Sequence, residues 1–289
     1  VTCSESLHMA AAQDVDISKK RKMGADDIPH PVASLMSPGE CVFGEEWTSA
    51  DLLSKVSISH DTRVFTFSLP DPEKPLGLST CACLLARGGD VIRPYTPIST
   101  NALIGQFKLM VKVYPEGALS QQMDSLEVGQ SLEFKHIPFN VKIQYPFEAA
   151  KIGIIAGGTG VTPMLQALHA ILGSSGDTTE VSMLYGSRTK EDILAKEVLD
   201  MWASASGGRL VVTHVLSDEP ADSEWDGPRG FIGADLVSEH MPEPSDEPLI
   251  FVCGPPPMYN ALCGPRGADA AFTGVLAEMG YVKERVIKF

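Results

Sequence analysis

The spacing of hydrophobic residues divides the chain into three regions. Residues 1–40 show poor periodicity and end in a Pro- and Ser-rich stretch, which predicts an N-terminal extension, a tail or linker that is ordered only where it packs on the body. Residues 41–147 contain short segments separated by turn-forming sequences. The segments with strand-like patterns are TRVFTFSL, CACLLA, QFKLMVKVY and QSLEF. This region predicts an antiparallel barrel or sandwich with one helix at ALSQQMDSL.

From residue 148 to residue 289 the pattern changes. Almost continuous apolar segments of strand length now alternate with helical segments, and the strands are KIGIIAGG, EVSMLYGS, RLVVTHVLS and PLIFVCG. Such strands are typical of a parallel sheet covered by helices on both faces. The predicted architecture is therefore a β-barrel domain at 41–147 followed by an α/β domain at 148–289.

The charge of the chain is unevenly distributed. The 289 residues include 23 Lys and Arg against 37 Asp and Glu, a formal net charge of −14. Residues 148–289 carry 10 basic against 20 acidic residues, whereas residues 41–147 carry 9 against 11. This balance argues against nucleic acid and anionic membranes as general partners. The SKKRK stretch at 18–22 could be a nuclear-type or membrane-surface patch, but we interpret it as a solvated charge run.

Cysteine usage indicates a reducing compartment. The six cysteines form no C-x-x-C pair and no zinc-like spacing with histidine, so no metal site is predicted. In a CACLLA strand, Cys81 and Cys83 would share one face, which does not suit a disulfide between them. No apolar run reaches the roughly 18 residues of a transmembrane helix. The chain begins at Val1, so removal of an upstream anchor or targeting segment stays an open alternative.

A glycine turn opens the α/β region. IIAGGTGVTPMLQ places Gly157, Gly158 and Gly160 between a buried strand and a helix, where Thr162 suits the N-cap and Pro163 the first helical position. Such a turn presents free N–H groups and a partial positive charge to a phosphate. A plain tight turn is the alternative, but the position in the first βα unit of a parallel sheet favours nucleotide binding.

A second motif, LIFVCGPPPM, ends a buried strand with Cys253 and a stiff proline loop. Ligands of open α/β sheets lie outside the carboxyl ends of the strands, and a rigid wall there suits a planar ring. The alternative is that Cys253 is a small core residue.

A third motif, YGSRTKEDIL, gives conflicting signals about the coenzyme. Ser187 and Arg188 would suit the 2′-phosphate of NADPH, Asp192 would favour NADH, and Arg188 with Asp192 could equally form a surface ion pair.

The barrel half offers a second set of nucleotide-binding candidates. Two prolines in RPYTPIS remove ladder donors, so we expect this strand to have an unpaired side. Arg93 would supply a fork for phosphate, and Tyr95, on the same strand face, an aromatic plate. Further candidates lie on the next strand and at the start of the helix that follows it: Lys112, Tyr114, Gly117 and Ser120.

Four motifs in this order and spacing resemble the NADH–cytochrome b5 reductase family of the ferredoxin-reductase-like superfamily: RPYTPIS, VKVY, GGTGVTPM and CGPPPM. The resemblance runs from about residue 48 to Phe289. It implies a six-stranded antiparallel β-barrel that binds FAD, followed by an α/β domain that binds NADH. Hydride would pass from the nicotinamide to N5 of the flavin.

The resemblance also implies roles for individual residues. Four would be catalytic: His60 would connect through Thr96 to solvent as a proton route, Lys112 would take part in NADH use, and Cys253 would help to place the nicotinamide. Arg93 would bind the FAD pyrophosphate. The residues expected to bind the cofactors are Arg93, Pro94, Tyr95, Thr96, Met110, Lys112, Tyr114, Gly117, Ala118, Leu119, Ser120, Gly157, Gly158, Thr159, Gly160, Thr162, Asp192, Gly254, Pro255, Pro256 and Met258.

The sequence departs from the family pattern at several of these positions. The family's GKMS reads GALS, so Ala118 replaces a lysine and one charge partner for phosphate is missing. Pro115 stands where the family has phenylalanine after VKVY, which puts one contact to adenine or flavin in doubt. LGLSTCAC lacks the histidine of the family's LGLPxGxH.

Together these features predict a flavoprotein with FAD and NADH as cofactors, NADPH being possible, that passes single electrons to a haem protein, cytochrome b5. The alternatives are the flavin module of a nitrate-reductase-type enzyme and a non-catalytic nucleotide-binding redox sensor. We expect a monomer that touches a membrane only through an anchor that was removed. It would dock its partner through four lysines of the barrel half, Lys108, Lys112, Lys135 and Lys142. The expected location is the cytoplasmic face of the endoplasmic reticulum or mitochondrial outer membrane if an anchor was removed, and otherwise the cytoplasm.

Overall fold

The computed structural model describes residues 21–24, 27–137, 142–267 and 269–289. The first half forms one antiparallel sheet of six strands in the order β4-β3-β6-β1-β2-β5. The strands are β1 (Thr48–Ser57), β2 (Thr62–Ser68), β3 (Leu84–Gly88), β4 (Val91–Tyr95), β5 (Gln106–Lys112) and β6 (Ser131–His136), and helix α1 (Ala118–Ser125) lies between β5 and β6. The six antiparallel strands confirm the prediction for this region.

Period-2 alternation builds the core of this sheet. In β3 the buried positions alternate with half-buried ones, so one face points inward. Phenylalanines from several strands meet there, with ring centroids 5.0 Å apart for Phe67 and Phe134 and 5.1 Å for Phe107 and Phe134. These edge-on aromatic contacts stabilise the barrel beyond the area that they bury.

The second half is a parallel sheet of five strands in the order β11-β10-β7-β8-β9. Its strands are β7 (Lys151–Gly157), β8 (Glu180–Ser187), β9 (Leu210–Leu216), β10 (Leu249–Cys253) and β11 (Val286–Lys288), and its helices are α2 (Val161–Gly173), α3 (Lys196–Ala205), α4 (Ala234–His240), α5 (Pro256–Leu262) and α6 (Val275–Glu278). The strand order reverses between β7 and β10, and in open α/β sheets this reversal marks the ligand crevice.

Hydrophobic layers cover both faces of this sheet. Alternate residues of β7 enter different core clusters: Ile154 packs with α2 and α3, and Ile155 packs with α4 and α5. The prediction of a sheet covered on both faces is therefore confirmed. None of the helices in the described part of the chain is long and apolar enough to cross a membrane.

Three details of the predicted elements are wrong. The strand β11 was not anticipated, because three residues carry too little pattern to detect. The CACLLA segment becomes a strand only at Leu84, and Cys81 lies in a turn with a φ of 61°. The helical segment predicted after the strand EVSMLYGS is not continuous, since Ala195 adopts a φ of 56° between a 3₁₀ turn at Lys190–Asp192 and α3.

The described part of the N-terminal extension is packed on the body. Ile28 is completely buried, and the N–H of Val32 donates to Nδ1 of His169 on α2 at 3.1 Å. Arg21 forms a two-pronged ion pair with the buried Asp27, both N–O distances being 2.6 Å. Arg21 and Lys22 are both exposed, so this end of SKKRK is solvated although Arg21 is ion-paired, and residues 18–20 lie outside the described part.

The two halves meet along β5 and α2. Ile98 and Met110 of the first half are buried in the same core cluster as Leu165 of α2. Gln166 of α2 donates from Nε2 to the carbonyl oxygens of Pro97 at 2.6 Å and Ser99 at 2.9 Å. The segment that follows β4 is therefore held directly by the second half.

Candidate active site

The strand of the RPYTPIS motif lies at an edge of its sheet. Within the described residues, β4 pairs with β3 on one side only. The exposed Pro94 faces Leu85 in this ladder and has no N–H to lose. Arg93 stands opposite Ala86 and Tyr95 opposite Leu84, two positions of one strand face. The predicted unpaired side and the shared face of Arg93 and Tyr95 are confirmed.

Helix α1 packs against β4 and brings a second set of donors to this edge. Its N-cap is Gly117, which makes no side-chain capping bond, and its first turn contains no acidic residue. The N–H groups of such a helix end have no intrahelical acceptor and carry a partial positive charge. Leu119 is buried, so only the backbone at this position can meet a ligand.

The donor chemistry of this edge fits a pyrophosphate. Arg93 is exposed, and its one recorded hydrogen bond runs from Nη1 to the carbonyl of its neighbour Ile92 at 2.7 Å. A free guanidinium fork beside free backbone N–H groups is suited to phosphate oxygens. The residues present therefore fit the FAD phosphates, although Ala118 offers no charge.

Two aromatic residues adjoin these donors. Tyr95 packs partly on the barrel core, and burial, with Tyr114 nearby, raises its pKa to about 12 against the opposing effect of Arg93. Tyr114 is 52% exposed. The hydroxyl of Ser120 is already used, because it donates to the Gly117 carbonyl at 3.1 Å and accepts from the Tyr114 N–H at 3.2 Å. Ser120 can thus contribute its backbone N–H to a ligand, whereas its hydroxyl shapes the turn.

The glycine turn and the proline loop of the second half interlock. A 3₁₀ turn, Gly158–Gly160, follows β7, and β10 ends beside it at Cys253. A side chain on Gly160 would overlap the Cys253 carbonyl and come within 3.0 Å of the Gly254 nitrogen. A side chain on Gly157 would come within 3.0 Å of the Met258 sulfur. Only glycines allow the two loops to approach this closely.

The same turn leaves room for a ligand in front of it. Gly158 has a φ of 54°, and a Cβ placed there would meet no atom within 4 Å. Helix α2 begins with Gly160 as N-cap, with no side-chain cap and no acidic residue in its first turn. Thr162 therefore does not cap the helix as predicted, and Pro163 is the third helical residue. Thr159 lies within the turn, whose open space and free helix end fit a phosphate.

A buried tyrosine fixes this turn from below. The Tyr185 hydroxyl on β8 donates to the Gly158 carbonyl at 3.0 Å, and its ring is fully buried. On the opposite side Pro255 caps α5 and Pro256 begins it. The proline loop is thus a rigid wall at the carboxyl end of β10, as expected from LIFVCGPPPM.

Cys253 closes β10 at the mouth of the crevice and is partly buried. Burial raises the pKa of its thiol, and the neighbouring Tyr259 hydroxyl and Arg266 only partly offset this rise. The thiol is therefore neutral near pH 7. A neutral, compact group here can position a ring without adding charge to it.

An ionic network links the two halves beside the crevice. Lys112 pairs with Asp61, its Nζ lying 2.6 Å from Oδ2. His60 lies between two carboxylates, with Nε2 3.3 Å from Oδ2 of Asp61 and Nδ1 3.8 Å from Oδ1 of Asp192. Burial alone would raise the pKa of Asp61, but hydrogen bonds from Lys112 and its neighbours outweigh burial and hold that pKa below the ordinary value. Hydrogen bonds among the described residues do not join His60 to Thr96, so the proton route through Thr96 stays a prediction.

The residues after β8 resolve one of the open alternatives. Arg188 pairs with Asp218, its Nε lying 3.1 Å from Oδ2, and not with Asp192. Asp192 instead accepts hydrogen bonds from the backbone N–H of Thr189 at 3.1 Å and its hydroxyl at 2.8 Å. The surface pair between Arg188 and Asp192 considered from the sequence is therefore wrong.

Sequence reasoning missed three residues that shape the site. Asp61 directly precedes β2, whose first residue, Thr62, pairs with Lys112, and a single acid before a strand is a weak signal in a sequence. Gln166 sits within TPMLQ, but nothing in its spacing shows that it reaches Pro97. Tyr185 reads as an ordinary apolar strand residue, because its hydroxyl finds its acceptor only in the folded chain.

Comparison with known proteins agrees with this geometry. Residues 49–138 match the oxidoreductase FAD-binding domain, and residues 154–264 match the oxidoreductase NAD-binding domain. The fold and site thus define a flavoprotein oxidoreductase with an FAD-binding barrel and an NAD-binding α/β domain. NADH-cytochrome b5 reductase 2 of Scheffersomyces stipitis is 38% identical over 255 residues, 85% of this chain and 84% of that protein. The chain belongs to the NADH-cytochrome b5 reductase family.

Two further relatives support this placement. NADH-cytochrome b5 reductase 2 of Saccharomyces cerevisiae is 35% identical over 253 residues, which is 85% of this chain and 83% of that protein. The crystal structure of the cytochrome b5 reductase domain of Ulva prolifera nitrate reductase superposes with a TM-score of 0.74 at 31% identity, covering 88% of this chain and 99% of that one.

Proposed function

We propose that this chain oxidises NADH with bound FAD and delivers the electrons singly to cytochrome b5. The observation that carries the proposal is the pair of phosphate-fitting helix ends, one at α1 in the barrel half and one at α2 in the α/β half. When bound, FAD supplies the conversion between a two-electron donor and a one-electron acceptor. Both relatives from yeasts are named NADH-cytochrome b5 reductase 2, a name that gives NADH as electron donor and cytochrome b5 as acceptor.

The chain's own residues would divide the task between orientation and charge. Arg93 and the backbone at Gly117, Ala118 and Leu119 would hold the FAD phosphates, with Tyr95 and Pro94 along the open edge. The turn at Gly157–Gly160 would hold the NADH phosphates, and Cys253 with Gly254 and the proline loop would orient the nicotinamide. Correct orientation of two reacting rings accounts for a large part of the acceleration of such a transfer.

Thr96 and Met110 would line the flavin from the barrel side. Thr96 is half-buried between the two prolines, and its neighbour Pro97 is fixed by Gln166. Met110 is buried in the core between the halves, so its backbone rather than its side chain would face a ligand. The proposed role of Thr162 beside the flavin rests on its position in the first turn of α2.

Flavin absorbance tests the redox proposal directly. The purified protein should be yellow, and NADH should bleach the flavin band under anaerobic conditions. Subsequent addition of oxidised cytochrome b5 should restore the band as the haem is reduced. Colourless protein that releases no FAD on denaturation would contradict the enzyme proposal and favour a non-catalytic sensor.

Docking of cytochrome b5 would use the less acidic barrel half. Lys142 is exposed, and Lys135 lies over the ring of Trp47 at 4.9 Å. Lys112 contributes less than expected to such a patch, because Asp61 neutralises it. If an acidic partner is steered to this half, raising the salt concentration should slow the reduction of cytochrome b5. A rate that does not respond to salt would argue for another acceptor.

A second candidate is supported by the similarity to the Ulva prolifera nitrate reductase domain. In that case the chain would be the flavin module of a larger enzyme. Purification of the flavoprotein from its native source separates the two functions. A nitrate reductase should contain molybdenum and haem and reduce nitrate with NADH, whereas a separate reductase should contain only flavin.

A further inference from the structure

Three side chains of metal-binding type meet where the two halves of the molecule adjoin. His60 and Asp61 precede β2 in the barrel half, and Asp192 ends the 3₁₀ turn after β8 in the α/β half. Each of the three offers one ligand atom that lies within 4.8 Å of the other two. No short sequence spacing joins these residues, so this cluster becomes visible only in the folded chain.

Each carboxylate of the cluster has one oxygen held by donors and the other directed towards His60. Oδ1 of Asp61 accepts from the Thr62 hydroxyl at 3.0 Å, and its Oδ2 lies 3.3 Å from Nε2 of His60. Oδ2 of Asp192 accepts from the Thr189 hydroxyl at 2.8 Å, and its Oδ1 lies 3.8 Å from Nδ1 of His60. Hydrogen bonds of this kind orient the ligands of metal ions in proteins.

The cluster attracts positive charge. The side chains of Asp61 and Asp192 are only 20% and 12% exposed, and carboxylates withdrawn from water need a compensating charge. Nζ of Lys112 supplies one, 2.6 Å from Oδ2 of Asp61. Arg188 lies near both acids, but its guanidinium is paired with Asp218. One cation therefore already binds at one end of the cluster, and one carboxylate charge remains to be balanced.

We propose that His60, Asp61 and Asp192 form a binding site for a divalent transition-metal ion of the Zn²⁺ class. One imidazole and two carboxylates are a ligand set that suits Zn²⁺. Ligand atoms about 2 Å from a tetrahedral zinc ion lie roughly 3.3 Å apart, so the cluster has to close slightly, and the exposed ring of His60 can supply that movement. The ion takes the Asp61 oxygen that Lys112 now contacts and ties the two halves together beside the crevice.

Occupation of this site should inhibit the reaction with NADH. The ion separates Lys112 from Asp61, and it engages Asp192, which is expected to bind the coenzyme. Zinc would therefore regulate the enzyme by competing with NADH. This consequence rests on the proposed function, whereas binding of the ion does not.

Calorimetric titration of the FAD-loaded protein with ZnCl₂ tests the site without turnover. We expect one tightly bound Zn²⁺ per chain, with a Kd in the micromolar range. His60→Gln and Asp192→Asn should each weaken binding about tenfold or more, a loss found even for residues that only orient a ligand. Lys112→Met should instead strengthen binding several-fold, because it removes the competing cation. Lys108→Met removes a positive charge from the same strand and should not have this effect.

Two control variants separate this site from adventitious zinc binding. Cys253→Ser removes the thiol at the mouth of the crevice, and His240→Gln removes an imidazole that lies 3.8 Å from Glu239 in another part of the α/β half. Both should keep the wild-type affinity for zinc. The proposal would be overturned by the absence of micromolar binding, by wild-type affinity in His60→Gln and Asp192→Asn, or by loss of binding in Cys253→Ser.

Reduction of the flavin by NADH measures the consequence of binding. Zinc should raise the KM for NADH and leave kcat unchanged, and EDTA should reverse the effect. Zinc that binds to this site without raising the KM would contradict competition with NADH. If NADH does not reduce the flavin even without zinc, the proposed function fails, and the zinc affinities of the variants still decide whether the site exists.

Discussion

The two phosphate-fitting sites of this molecule are built in opposite ways. At the barrel edge, Arg93 supplies positive charge from an exposed side chain, and the helix end at Gly117 stands open beside it. At the α/β crevice no basic side chain lies in the turn, and close packing of Gly157 and Gly160 against the β10 loop shapes the site. One site depends on a charged fork and the other on backbone shape.

This difference separates binding from folding. A site made by an exposed side chain can lose that side chain while the surrounding fold stays intact. A site made by interlocked backbone loops cannot change volume without moving β7 or β10, which form the centre of the sheet. Substitutions at the barrel edge should therefore weaken ligand binding alone, whereas substitutions in the interlocked loops should also lower stability.

The largest effect is expected from Gly160→Ala. The added methyl would overlap the Cys253 carbonyl, so the glycine turn or the β10 loop must shift. We expect a loss of about 3 kcal/mol in the free energy of unfolding, the upper end of the usual cost of overpacking, and loss of flavin reduction by NADH. Urea denaturation and anaerobic flavin bleaching would measure the two effects, and FAD should remain bound to the barrel half.

Gly186→Ala provides the matched control on the neighbouring strand. A Cβ there meets its nearest atom at 3.6 Å, an ordinary contact. Its stability should stay within about 0.5 kcal/mol of the wild type. If Gly160→Ala behaves like this control, the loops are not interlocked and the comparison between the two sites is wrong.

Acid should weaken the second half through His169. Burial lowers the pKa of this side chain on α2 to about 4, and its Nδ1 accepts the N–H of Val32. An unfolded histidine titrates near pH 6.5, so the unfolded chain binds the proton first as the pH falls. Stability is fully present above about pH 6.5 and declines towards pH 4, by about 3 kcal/mol in all.

His169→Gln checks this assignment by thermal or urea unfolding across the same pH range. Glutamine can still accept from Val32 but does not titrate, so the slope of stability against pH should become smaller. It should not vanish, because burial also lowers the pKa values of His136 and His214. An unchanged slope would show that His169 is not the group that protonates.

Much of this architecture could be predicted from the sequence. The change from period-2 segments to continuous apolar strands separates the two halves, and the prolines of RPYTPIS place β4 at an edge. The glycine turn could be located because three glycines within four positions follow an apolar strand, and glycine adopts the φ of 54° at Gly158 without steric cost. These features are local, so each leaves a pattern within a few residues.

The contacts that join distant segments could not be predicted. Asp218 lies 30 residues from Arg188, and Gln166 lies 69 residues from Pro97. Neither pairing leaves a periodic signal, because each arises from the order of strands in space. Capping was mispredicted at Thr162 for a related reason, since the 3₁₀ turn moves the helix start back to Val161. The roles of His60 and Thr96 stay predictions.

Arg93→Ala should weaken FAD binding without weakening the fold. The side chain is exposed and bonds only its neighbour's carbonyl, so the apoprotein should unfold as the wild type does. Loss of a charge-assisted fork to phosphate costs about 1.5–3 kcal/mol, roughly a tenfold to hundredfold increase in the Kd for FAD. The FAD affinity of Arg93→Lys should lie between those of the wild type and Arg93→Ala, because lysine keeps the charge but not the fork.

Flavin fluorescence on dilution would report the FAD affinity of both variants. Lys74→Ala removes an exposed positive charge from the same half and should leave that affinity unchanged. Equal losses in Arg93→Ala and Lys74→Ala would show that only the general charge of the barrel matters. Unfolding of Arg93→Ala at lower urea would contradict the separation of binding from folding.

The smallest effect should come from the link between the two sites. Gln166→Met keeps the side-chain length but removes the donor that serves the Pro97 and Ser99 carbonyls, so we expect a loss of about 1–2 kcal/mol in the free energy of unfolding. Because Pro97 follows Thr96 directly, flavin reduction by NADH should slow while the Kd values for both nucleotides change little. Gln106→Met, on β5, is the control. It also removes a side-chain amide, but this amide makes no hydrogen bond among the described residues, so neither effect is expected. A normal reduction rate in Gln166→Met would mean that the segment after β4 is positioned by the barrel alone.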